Sequence, residues 1–133
     1  MPRTTINSGN AAAVGPYSHA AAGGGLLILS GQTPLDPATG KLLEGTIGEQ
    51  TEQCFKNLFA VLEAAGLSAD DVIAAQVYLV DMEDFSAMNA VYARQFKPPY
   101  PARTTIGVAS LPLRARIEIG LIAQQASGPR GAA

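Results

Sequence analysis

One stretch, Ile47 to Ala65, is marked as a helix at both ends and along one face, and a helix of that kind has to lie on a larger apolar surface. Thr46 followed by Glu49 makes a capping box, in which each side chain accepts a hydrogen bond from the other residue's orphan amide. Ile47, Cys54, Phe55, Leu58, Leu62 and Ala65 recur at helical spacing and define the face to be covered. Gly66 supplies a left-handed closure. Cys54 has no basic neighbour one turn away, so it reads as a buried core thiol rather than a reactive one.

Strands provide the surface. Leu26 to Ser30 is an apolar run ending at Gly31, and Gln76 to Val80 is rich in β-formers after the turn-like Ser68-Ala69-Asp70-Asp71. Arg116 to Ala123 alternates, with Ile117, Ile119 and Leu121 on one side and Arg116, Glu118 and Gly120 on the other. A second helix is expected from Met82 to Phe96, capped by Asp81, with Phe85, Met88, Tyr92 and Phe96 as its core stripe. Lys97-Pro98-Pro99-Tyr100-Pro101 stops it, and a strand from Thr104 to Val108 follows. Pro34, Asp36-Pro37 and Thr39-Gly40 mark a loop or hairpin before the first helix. The order strand, helix, strand, helix, strand, strand predicts an α+β fold, a mixed sheet with both helices on one face. The other face, carrying Arg116, Glu118 and Tyr78, is left for contact with further copies of the chain.

At 133 residues the chain is expected to form a single domain over 1–133, with 126–133 frayed. A net charge of −2 leaves no basic footprint for nucleic acid or an anionic membrane. One cysteine and one histidine, His19, are too few for a multi-thiolate or multi-histidine metal centre, so neither metal nor cofactor is expected. No apolar run approaches the ~20 residues of a membrane span. The opening MPRTTINSGN lacks the apolar core of a signal peptide, and a cytoplasmic protein is expected.

Four constellations can carry chemistry: Gly15-Pro16-Tyr17-Ser18-His19, Ser30-Gly31-Gln32, Pro101-Ala102-Arg103-Thr104-Thr105 and Ile117-Glu118-Ile119. Singly, each has a structural explanation, including an ion bridge between Arg103 and Glu118. Together, Arg103 and Glu118 stand out, because both sit at strand positions where a charge must be paired or used. With Asn89, these motifs in this order resemble the RidA (reactive intermediate deaminase) family, also called YjgF or endoribonuclease L-PSP, over about residues 4–124. The resemblance implies a chorismate-mutase-like fold and a homotrimer with a central barrel-like core and ligand clefts between subunits. It also implies cofactor-free hydrolysis of enamines and imines, such as 2-aminoacrylate and 2-aminocrotonate, to 2-keto acids and ammonia.

On that resemblance Arg103 binds the substrate carboxylate, Glu118 handles the attacking water, and Tyr17 closes the cleft from the adjacent subunit. Ser30, Gly31, Asn89 and Thr105 are the further substrate-binding candidates, with Gly31 and Thr105 acting through their backbone. The chain departs from the family pattern at Thr105, where many relatives carry cysteine, and at Gly120, where many carry an acid. It departs also at His19, where many carry glutamine. Two rival readings are a small-carboxylate binding or chaperone-like module without turnover, and a ribonuclease. The negative charge and the lack of a second histidine argue against the latter.

Overall fold

The computed structural model describes residues 2–9 and 15–125. The expected C-terminal fraying falls on residues outside that range. The first helix, α1 (Ile47–Ala64), is built as its sequence dictates. Thr46 Oγ1 accepts from the Glu49 amide at 3.1 Å, and Glu49 Oε1 accepts from the Thr46 amide at 2.9 Å. At the other end the Leu67 amide donates to Leu62 and the Gly66 amide to Glu63, with Gly66 at φ +75°. This pair of bonds is a Schellman closure.

The described residues form eight strands. The main sheet runs in the order β1 (Thr4–Ile6), β2 (Ala20–Gly23), β3 (Leu26–Gln32), β8 (Ile117–Gln124), β6 (Val72–Leu79), β7 (Ala102–Gly107). All neighbours are antiparallel except β6 and β7, whose parallel pairing is allowed by the α2 (Phe85–Ala93) crossover between them. β4 (Leu35–Asp36) and β5 (Lys41–Leu42) form the small hairpin expected before α1. Both helices cover one sheet face. Phe55, Leu58, Val61 and Leu62 of α1 pack over Leu27, Val77, Ile119 and Leu121 in the same buried core. Cys54 is fully buried there, and burial, with the Glu118 charge adding to it, pushes its thiol well above the ordinary range.

β6 begins at Val72 rather than Gln76 and β7 at Ala102 rather than Thr104, which places Arg103 within the strand, and three further features differ from expectation. The β1–β2–β3 hairpin region had no expected β1 or β2, because Ala20-Ala21-Ala22-Gly23 has little strand propensity. What specifies it is Gly24-Gly25, both at positive φ, forming the two-residue turn that joins β2 to β3. The second helix begins as a 3₁₀ turn, Met82–Asp84, capped by Asp81 as expected, and its α portion ends at Ala93 rather than Phe96. Amides of Arg94 and Gln95 bond three residues back, tightening the chain so that Phe96 turns edge-on to Phe55 at 5.8 Å. Arg116 does not stand on the open sheet face. It precedes β8 and pairs with Asp84 at the foot of α2, at 3.0 and 3.2 Å.

The uncovered face carries Glu118 and Tyr78 as the alternation requires, with Ile28 and Ile106, 54% and 45% exposed, on the same side.

Candidate functional site

A break in the β3–β8 ladder shapes the first part of the site. Leu29 pairs with Leu121 and Gln32 with Ile119, so Ser30 and Gly31 together stand opposite Gly120. Such a bulge re-aims the strand locally. Glu118, on the open face, lays its carboxylate against Gly31. A Cβ at position 31 would lie 2.5 Å from Glu118 Oε2 and 2.9 Å from its Cδ. The glycine therefore leaves the space that the carboxylate occupies, and a side chain there would displace it.

Glu118 lines a cavity of about 300 Å³ with Tyr17, Ser30, Gly31, Thr33 and Pro112. It is half-buried, and burial raises its pKa above the ordinary carboxyl range. No cation pairs with it among the described residues. The turn that presents Tyr17 is pinned to β3 by two bonds: Ser30 Oγ donates to the Ser18 carbonyl at 2.7 Å, and the Ser30 amide to the His19 carbonyl at 2.8 Å. Ser30 thus spends its hydroxyl proton within the fold. His19 is buried and structural: its Nδ1 accepts from the Ser8 amide at 2.9 Å, and its own amide donates to Asn7 Oδ1 at 3.0 Å.

Arg103 belongs to a second cluster. It pairs in register with Ala75, a core-facing residue, so its side chain leaves β7 toward the helices. Its Nη1 donates to Asn89 Oδ1 at 2.7 Å, and its Cζ lies 4.6 Å from the Tyr92 ring centroid and 5.6 Å from that of Phe85. No carboxylate pairs with it among the described residues. Asn89, Tyr92, Tyr100, Pro101 and Arg103 line a cavity of about 290 Å³. Burial raises the Tyr92 phenol pKa, and the Arg103 charge opposes that shift. Thr105, two residues along the same strand face, has its Oγ1 buried without a hydrogen-bond partner.

One expectation is corrected by this geometry. Among the described residues Arg103 and Glu118 make no ion bridge and share no cleft within one chain, because they leave the sheet on opposite faces: Arg103 aligns with core-facing Ala75, and Glu118 with outward Tyr78. Tyr17 lines the Glu118 cavity of the same chain, apart from Arg103. Ser30, Gly31, Tyr17 and Glu118 form one cluster, and Asn89 and Arg103 another, with Thr105 on the Arg103 face of β7. Thr33 and Pro112 were missed, and Tyr92 was read only as core. The signal for Tyr92 was its place three residues after Asn89, on the same helix face.

Gly31→Ala is expected to push the Glu118 carboxylate out toward solvent. Carbon-detected titration should then show its pKa fall toward the ordinary carboxyl range. An unmoved pKa in a folded variant would show that the carboxylate does not depend on the glycine.

Comparison with known proteins places this geometry in a family. The profile described as Endoribonuclease L-PSP matches residues 8–125. A RutC family protein of Pyrococcus horikoshii is 49% identical over 110 residues, covering 83% of this chain and 87% of the relative. The chloroplastic Reactive Intermediate Deaminase A of Arabidopsis thaliana is 45% identical over 112 residues, covering 84% of this chain and 60% of that protein. Among solved structures, Escherichia coli TdcF with bound serine superposes with a TM-score of 0.87 at 34% identity, covering 92% of this chain and 99% of that one. With the sheet order, the two side-chain clusters and these likenesses together, the chain belongs to the endoribonuclease L-PSP family, the group that includes the RidA and YjgF proteins.

Proposed function

We propose that the protein hydrolyses enamines and imines of the 2-aminoacrylate and 2-aminocrotonate type to 2-keto acids and ammonia, as a cytoplasmic homotrimer without metal or organic cofactor. The observation that carries this reading is the pair of half-buried charges, Arg103 and Glu118, on opposite faces of one sheet, neither ion-paired among the described residues. A second copy of the chain is what can bring the Arg103 half-site of one subunit to the Glu118 half-site of another, and the exposed Ile28 and Ile106 supply apolar contact for it. The name of the Arabidopsis relative and the serine bound to the Escherichia coli neighbour support a small carboxylate-bearing nitrogen compound as substrate.

In this reading the guanidinium of Arg103 binds the substrate carboxylate through the donors that Asn89 leaves open. A water attacks the imine carbon and gives its proton to Glu118, whose burial makes it a better base than a solvated carboxylate. The C–O bond forms as the C=N π pair moves to nitrogen, and Glu118 passes the water's proton to that nitrogen, giving a carbinolamine whose C–N single bond is intact. Glu118 then carries the hydroxyl proton to the amino nitrogen, the C=O bond forms as the C–N bond breaks, and ammonia departs to leave the keto acid. Tyr17 overhangs the same cavity and donates to the developing oxygen.

The test is the decay of 2-aminocrotonate, generated by a threonine dehydratase, compared with buffer alone. Acceleration that persists in a chelator, by a particle of trimer mass in light scattering, supports the reading. Keto-acid binding with no acceleration would replace it by the binding-module reading, and a stable monomer at micromolar concentration would remove the shared site.

A further inference from the structure

We propose that Tyr92 is a positioning residue whose ring face holds the Arg103 guanidinium in the orientation that receives the substrate carboxylate, an inference that rests on the reading of Arg103 given above. Three contacts define that orientation. The Tyr92 ring, 4.6 Å from Cζ, and the Phe85 ring, 5.6 Å away, fix where the guanidinium sits, and Asn89 Oδ1, 2.7 Å from Nη1, fixes the direction of one donor. Asn89 and Tyr92 are three residues apart on one face of α2, so a single element supplies both. The ring itself is anchored. Tyr92 is 4% exposed, with Phe55 at 5.7 Å edge-on and Phe96 at 5.3 Å. An arginine held in this way directs its remaining donors one way, and little freedom is left to lose when a carboxylate binds. The Tyr92 hydroxyl is buried without a hydrogen-bond partner, so the contact that acts on Arg103 is the ring face and not the phenol oxygen.

The experiment replaces Tyr92 by phenylalanine and by 4-fluoro-, 3,5-difluoro- and pentafluorophenylalanine, which nearly keep the ring's size while draining the negative charge of its face. Affinity for 2-oxobutyrate should be close to wild type in Tyr92→Phe and should fall stepwise with fluorination, by a total of roughly 2- to 30-fold. KM for the imine should rise in the same order with kcat unchanged, at constant melting temperature and assembly mass. A merely structural role would move none of these in that order. Ligand-free nuclear magnetic resonance separates this inference from the functional reading. The Arg103 Nε–H should be ordered and ring-current shifted in wild type and Tyr92→Phe, and mobile in the pentafluoro variant, whether or not a keto acid binds. Constant affinity and constant Arg103 order across the series would overturn the proposal. So would a Tyr92→Phe variant as weak as the pentafluoro one, which would assign the effect to the hydroxyl.

Discussion

Arg103→Ala should abolish binding of 2-oxobutyrate to a protein that still folds and assembles. Among the described residues Arg103 pairs with no carboxylate, so its loss strands no buried opposite charge, and what the fold gives up is the Asn89 hydrogen bond and the contacts with the Tyr92 and Phe85 rings. The ligand loses a charge-assisted, two-pronged partner in a partly desolvated site, which costs roughly 2–5 kcal/mol. Arg103→Lys should recover little of this. An ammonium can neither present the fork nor reproduce the guanidinium's place over the Tyr92 ring, 4.6 Å from its centroid. Calorimetry on the assembled variants decides it, and unchanged affinity in Arg103→Ala would remove the residue from the site.

The second large effect concerns Glu118. Removing a general base costs about 10²–10⁴ in rate. Glu118→Gln keeps shape and hydrogen-bonding reach but cannot take the water's proton. Keto-acid affinity should stay within about tenfold, or 1.4 kcal/mol, while the accelerated decay of 2-aminocrotonate is lost. Full activity in the variant would leave the enzyme standing without Glu118 in its mechanism.

Burial gives this carboxyl two pH signatures of opposite sign. The proposed hydrolysis uses the ionised form, so the acid limb of the rate profile should lie above the ordinary carboxyl range. Stability runs the other way. The folded pKa is raised, so the protonated form favours the fold, and that contribution is complete below the unfolded pKa and lost as pH rises through the folded one. Glu118→Gln should therefore melt higher than wild type at neutral pH, with the difference closing in acid.

The helix–sheet layering was legible because its signals are local. The Thr46–Glu49 box, Gly66 and the alternation through Ile117, Ile119 and Leu121 each act within a few residues, and each is found as read. The first two strands were not legible, since alanines carry no strand preference and their pairing is imposed by the Gly24-Gly25 turn and the edge of β3. The site was half legible. Its residues could be named by type, but which face each one serves depends on register. Arg103 follows Ala75 through a parallel pairing and Glu118 follows Tyr78 through an antiparallel one, and neither pairing is written in the segments themselves. Gly31 looked like room for a ligand when the occupant is the carboxylate of the same chain.

The division of the two charges between opposite faces makes inactivation a property of junctions rather than of chains. In the proposed trimer each junction joins Arg103 of one subunit to Glu118 of the next. A mixed ring of Arg103→Ala and Glu118→Gln subunits always contains one junction where both native residues meet. Equal amounts of the two variants, unfolded and reassembled together, should recover roughly a quarter of wild-type activity if chains mix at random. A chain carrying both substitutions should rescue neither single variant, because it contributes no native residue to any junction that lacks one. In an organism, two such null alleles would complement each other in one cell although each fails alone.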